Sequence, residues 1–173
     1  MSEALLLEDG TGVTGANTYV TVAEADDYIE HNIHAFVNWT AQTTAVKEHI
    51  LMWCARYIES RMKWEGTKVD TDLKLGWPRD YAYDHEGTAI PNTSIPERLK
   101  DAQMELARFL LASDLGDSLP QAGVDRIVVD VIEIFFTEGY SQVTIPPDVW
   151  LMLSDLGSII NPAGHTFGRI RRS

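Results

Sequence analysis

Gly10-Thr11-Gly12-Val13-Thr14-Gly15 fits G-x-G-x-x-G, the pattern that brings a dinucleotide phosphate to helix N–H groups. That chemistry needs the third glycine at the start of the crossover helix. Here the next helix signal begins near Val22, several residues too late, and no second βαβ strand follows, so the stretch reads as a loop. His31 and His34 are three apart and could share a helix face as metal ligands. No third ligand follows at a workable spacing: His49 falls on another helix, and His85 lies in a loop beside Asp84 and Glu86. Cys54, flanked by Trp53 and Tyr57 on one helical stripe, reads as a buried, inert thiol rather than a nucleophile. No serine sits in a nucleophile elbow, and there is no P-loop. The pairs Asp26/Asp27 and Asp70/Asp72 read as solvated acids. The expectation is a protein without catalytic residues, cofactor or metal.

Two further groups suit binding. Trp53, Tyr57, Trp64 and Trp77, with Arg56, Arg61 and Lys63, could stack bases and hold phosphates. The acidic surroundings favour the plainer arrangement, in which Trp53, Tyr57 and Ile58 face the core and the cations cover the outside. The last 16 residues, Ser158 to Ser173, contain no acid. They carry Phe167, Arg169, Ile170, Arg171 and Arg172, which suit docking onto a partner: planar cationic forks with small apolar anchors between them. Pro162, Gly164 and Gly168 argue for an extended arm there.

The elements that must position these residues are mainly helical. Thr21-Val22-Ala23-Glu24 is a capping box that opens a helix over about Val22–Asn32. Val46, Ile50, Trp53, Cys54, Tyr57, Ile58 and Met62 recur at helical spacing and predict a helix over Thr44–Glu65, closed by Gly66. Gly76-Trp77-Pro78 signals a turn within a loop region, and Tyr81–Thr93 reads as loop. A third helix spans Pro96–Leu115, with Leu99, Ala102, Gln103, Leu106, Ala107 and Leu110 inward. Arg126–Thr137 has strand composition interrupted by Asp130, so it is a hairpin or one bent strand. Pro146-Pro147-Asp148 starts a helix ending at Gly157, and Ala4–Leu7 could be a short strand. The predicted fold is mainly α: a small helical bundle with a short β element near the C-terminus. The helical domain spans residues 1–157 and the extended basic arm 158–173.

The chain has 173 residues, enough for one domain. Net charge is −12, from 14 basic and 26 acidic residues, and every acid lies before Ser158. That argues against a protein whose whole surface grips nucleic acid. Cys54 is the only cysteine, so no intramolecular disulfide forms. No apolar run is long enough to span a bilayer, and the acidic N-terminus does not resemble a secretory signal. The expected location is the cytoplasm.

Several stretches carry a resemblance. Glu8-Asp9-Gly10-Thr11-Gly12 continues through Ala16-Asn17-Thr18-Tyr19-Val20-Thr21-Val22-Ala23-Glu24-Ala25-Asp26. Leu75-Gly76-Trp77-Pro78-Arg79 is followed by Gly87, Ile90-Pro91 and Ile95-Pro96-Glu97-Arg98-Leu99-Lys100-Asp101-Ala102-Gln103-Met104-Glu105-Leu106-Ala107. In this order, over about Leu6–Leu111, the chain resembles a tailed-phage family labelled DnaT-like single-stranded-DNA-binding proteins, similar in layout to head–tail connector (adaptor) proteins. The resemblance implies a non-catalytic virion protein that forms a twelvefold ring under the portal and links capsid to tail around the DNA channel. Its implied partners are the portal protein, neighbouring copies and a tail-side neck or terminator protein, with packaged DNA passing unbound and host cytoplasm as the location before assembly. On this view Phe167, Arg169, Ile170, Arg171 and Arg172 dock onto the portal. Gly12, Gly15, Asn17, Trp77, Pro78 and Arg79 lie in loops that meet neighbouring copies or the next ring. The alternative, implied by the family label, is a single-stranded-DNA-binding module using Trp64, Trp77, Arg79 and the terminal arginines.

Overall fold

The computed structural model describes residues 3–112, 126–129, 132–135 and 145–160. Helix α1, Val22–Glu30, starts at the predicted capping box: the Thr21 hydroxyl accepts from the Glu24 N–H, and the Glu24 carboxylate accepts from the Thr21 N–H at 2.7 Å. Its C-cap is His31, because Asn32 turns the chain instead of extending the helix. The Asn32 side-chain oxygen accepts from the N–H groups of His34 and Ala35, both at 3.1 Å. That turn launches α2, Phe36–Thr40, a short helix absent from the sequence reading.

Helix α3, Thr44–Glu59, is capped by Thr43 and ends six residues before the predicted stop. The chain leaves the helix to form β1, Met62–Trp64, which pairs antiparallel with β6, Gly157–Ile159. Backbone hydrogen bonds to a distant segment replace the last helical turn. Gly66 therefore serves a strand turn rather than a helix end: its φ is 70°, and a Cβ there would collide with the Asp80 carbonyl. The following pair, β2 at Thr67–Lys68 and β3 at Arg79–Asp80, is also antiparallel. The buried residues of α3 are Lys47, Leu51, Cys54, Ala55, Tyr57 and Ile58. Of the predicted inner residues, Cys54, Tyr57, Ile58 and Met62 are buried, Ile50 and Trp53 are half-buried and Val46 is exposed, so the prediction holds for the second half of the helix and slips at its start.

Helix α4, Glu97–Ala112, packs against α3, α1 and α5, Pro147–Leu153. Leu99, Ala102, Gln103, Leu106 and Ala107 are buried, as their spacing predicts. Gln103 is satisfied in the core. Its amide donates to the Thr18 hydroxyl and the Leu51 carbonyl, both at 2.8 Å, and its oxygen accepts from the Tyr19 N–H at 3.0 Å. One side chain thereby ties the N-terminal segment to two helices. The predicted remainder of α4, residues 113–115, lies outside the described residues.

Arg126–Val129 (β4) and Ile132–Phe135 (β5) pair antiparallel, which settles the late β element as a hairpin. Helix α5 ends at Leu153 rather than Gly157, because Gly157 already heads β6. Ala4–Leu7 makes only an isolated parallel bridge, Leu7 with Thr18. The first residues assigned to the arm, Ser158 and Ile159, belong to β6. Phe167, Arg169, Ile170, Arg171 and Arg172 lie outside the described residues. The fold is mainly α, with small antiparallel strand pairs.

Candidate nucleic-acid interface

The glycine-rich loop is already occupied by the chain's own anion. The buried Glu8 carboxylate accepts from the N–H groups of Gly10 and Gly12 on one oxygen, at 3.0 and 2.9 Å, and from Val13 on the other at 2.7 Å. These are the donors a phosphate would need, so the loop is a self-satisfied turn. The sequence reading missed Glu8, although an acid two residues ahead of Gly10 is the available signal.

Gly12 is half-buried and Gly15 exposed, whereas Asn17 is interior. Its side chain is buried, accepting from the Leu6 N–H at 2.8 Å and donating to the Ala4 carbonyl at 2.9 Å. Trp77 and Pro78 are likewise interior, so these three are not available to a neighbouring copy or to a base. Around them lies a buried polar knot. The Tyr19 hydroxyl accepts from the N–H groups of Gly76 and Trp77, at 3.0 and 3.2 Å, and donates to Glu59. Trp64, half-buried, donates its indole N–H to the other Glu59 oxygen at 3.1 Å, and packs edge-on to Trp77. Burial raises the Glu59 pKa, against the pull of the Tyr19 and Trp64 hydrogen bonds. Arg79 is spent on backbone: its guanidinium donates to the carbonyls of Glu65, Gly76 and Gly66. Of the residues that the DNA-binding alternative relied on, Trp64, Trp77 and Arg79 thus build the β1–β3 region, while the terminal arginines lie outside the described residues.

Of the binding candidates outside the C-terminal segment, those that reach the surface lie on α3 and just beyond it. Trp53 and Tyr57 stack with ring centroids 4.7 Å apart. The Arg61 guanidinium covers the other face of this pair, 3.5 Å from the centre of the Tyr57 ring. Trp53, half-buried at the end of the stack, borders two grooves. One, of about 430 Å³, is also lined by His49, Met52, Arg56 and Lys74. The other, of about 460 Å³, runs between Val46, Ile50 and Leu110. Arg56 and Lys63 are exposed. Residues 44–68 hold five basic and three acidic residues, in a chain whose overall balance is strongly acidic. The arrangement is intermediate between the two sequence readings. Tyr57 and Ile58 are inside, while Trp53 is shared between core and surface. The Ile160 N–H donates to the Arg61 carbonyl at 2.7 Å, so β6 brings the start of the arginine-containing C-terminal segment to this same place.

His31 points its Nδ1 at the Asp27 carbonyl, 2.8 Å away, and His34 is exposed. No group of three metal-ligating side chains occurs among the described residues. Cys54 is buried, and burial pushes its thiol far above the usual range, so it stays protonated. No helix among the described residues is long and apolar enough to cross a membrane.

The fold and this surface define a small, mainly helical protein with an aromatic–cationic stack that runs from α3 onto the residues just after it. Over residues 3–173 the chain matches the family profile described as "Putative DnaT-like ssDNA binding protein", and it belongs to that family. No curated protein and no solved structure matches it.

Proposed function

We propose that this chain binds single-stranded DNA across the outward face of α3 and β1. The Trp53–Tyr57–Arg61 stack carries the reading, and the family description supports it. A base would extend the stack on Trp53, held from behind by Tyr57, which is itself held by Arg61. Arg56 and Lys63 would take flanking phosphates, and the acidic remainder of the surface would confine the strand to this strip. Unpaired bases offer π-faces that a duplex hides, which is how a mostly acidic protein can favour single strands. The reading includes no catalysis. Its test is titration of an oligo-dT strand at low and moderate salt, followed by tryptophan fluorescence. Binding should quench the emission, weaken with salt, and be lost in Trp53→Ala. An oligonucleotide without effect at low salt overturns the reading.

A second reading places the protein at a tailed-phage head–tail junction, as a ring connector bound to portal. It is favoured by the net charge of −12, which suits a channel wall past which DNA slides without sticking. Co-elution with portal on a sizing column, together with no affinity for oligo-dT, would select this reading over the first.

A further inference from the structure

The groove of about 430 Å³ beside Trp53 runs along one side of α3 and is completed by Glu3, Asn17, Lys74 and Leu75. Met52 and the buried Leu75 give it apolar surface against which a flat ring can pack. Most of its hydrogen-bonding groups are already spent. Asn17 bonds to Leu6, Ala4 and Glu3, and Glu3 is paired with Lys74 at 2.9 Å.

Glu59 is different, because it serves the buried knot and also lines the groove. One of its oxygens accepts from the Tyr19 hydroxyl at 2.5 Å and the other from the Trp64 indole at 3.1 Å. A carboxylate offers about four acceptor sites, so about two remain, one on each oxygen. Glu59 is half-buried, and burial raises its pKa. Its charge is therefore under-solvated, and a pair of N–H donors entering from the groove would relieve it.

Trp53, Arg56 and Glu59 follow one another along α3 at three-residue intervals, about 4.5 Å of helix each. Aromatic ring, cation and carboxylate match the order base, phosphate, base of a single strand. With one base stacked on Trp53 and the next phosphate at Arg56, the neighbouring base falls in the groove. Guanine suits that position best. Its Watson–Crick edge carries two adjacent donors, the ring N–H and the amino group, which match the two oxygens of one carboxylate. Adenine and cytosine set a ring-nitrogen lone pair beside their amino group. Thymine flanks its single ring N–H with two carbonyls. Each of these three turns a lone pair towards Glu59.

We infer that Glu59 reads the base next to the stacked one and selects guanine. This inference rests on the DNA-binding reading and names the base that its surface prefers.

The test uses the full chain and oligo-dT strands that differ by one central base, titrated at low salt and followed by tryptophan fluorescence. The strand with a central guanine should bind about tenfold more tightly than all-thymine, with adenine and cytosine gaining less. The ratio of guanine to all-thymine affinity should fall towards one in Glu59→Gln. Met52→Trp, which narrows the groove, should lower the same ratio. Circular dichroism checks that both variants are folded. Equal binding of all four strands by the wild type overturns the inference and leaves the DNA-binding reading standing. A guanine preference that survives in folded Glu59→Gln also overturns it. No binding of any strand overturns both.

Discussion

Tyr19 and Glu59, forty positions apart, share a hydrogen bond of 2.5 Å in the interior, and among the described residues no lysine or arginine is in hydrogen-bond contact with that carboxylate. Burial raises both groups' pKa values. For Glu59 the sign follows from the raised folded value. The site's contribution to stability is complete below the ordinary value of 4.5 and is lost as pH rises through the folded value. In Glu59→Gln that loss is removed. Urea unfolding of both proteins from pH 4.5 to 8 should show the wild-type advantage shrinking as pH rises; a constant or growing advantage would contradict the assignment.

Glu8 holds three backbone N–H groups of the glycine-rich loop. In Glu8→Ala these donors lose their acceptor, which should cost about 2–3 kcal/mol by chemical denaturation. Inorganic phosphate or a dinucleotide should leave the wild-type melting temperature unchanged, because the donors are taken. Thermal stabilisation of the wild type by either ligand would show the loop to be open after all.

Gly76 sits against the Trp64 indole and the Glu59 carboxylate, where a Cβ would collide with both. Gly76→Ala must therefore push apart the knot that binds Tyr19, Glu59 and Trp64. A loss of roughly 1–3 kcal/mol is expected, as for overpacked cores. Near-UV circular dichroism should change with it, since the Trp64 indole meets the added Cβ and packs edge-on to Trp77; an unchanged spectrum and midpoint would mean the region yields easily.

Arg56 is an exposed cation on the strip proposed for DNA. Arg56→Gln should weaken oligo-dT binding and reduce the slope of log K against log salt by about 0.7, the value for one phosphate contact on a single strand. Stability should change little, as an exposed position allows. An unaltered slope would remove Arg56 from the contact.

Local signals in the sequence identified the helices well. The Thr21–Glu24 capping box and the 3.6-residue spacing of α4 depend on neighbours a few positions away, and both appear as expected. What was not legible depends on distant partners. Residues 60–65 continue the helical pattern of α3, yet they become β1 because Gly157–Ile159 offers backbone partners. Trp77 and Arg79 look like a surface motif of aromatic and cation. Their burial and backbone bonding arise only when Tyr19, Glu59 and Gly66 converge on them. Trp53 fell between the two arrangements because it stands at the edge of the buried face of α3, next to the buried Cys54 and stacked on Tyr57.

The pairing of β1 with β6 also sets an order of events during synthesis. Met62 and Ile159 are partners across roughly a hundred residues, a closure whose entropy must be met before the strand gains anything. A chain growing from its N-terminus can complete α1 and α3 early, but β1 must wait until Gly157–Ile159 have been made. The β1 edge, which carries Lys63, therefore stays unpaired through that interval of synthesis, and a protein shortened before Gly157 would leave that edge open to other strands.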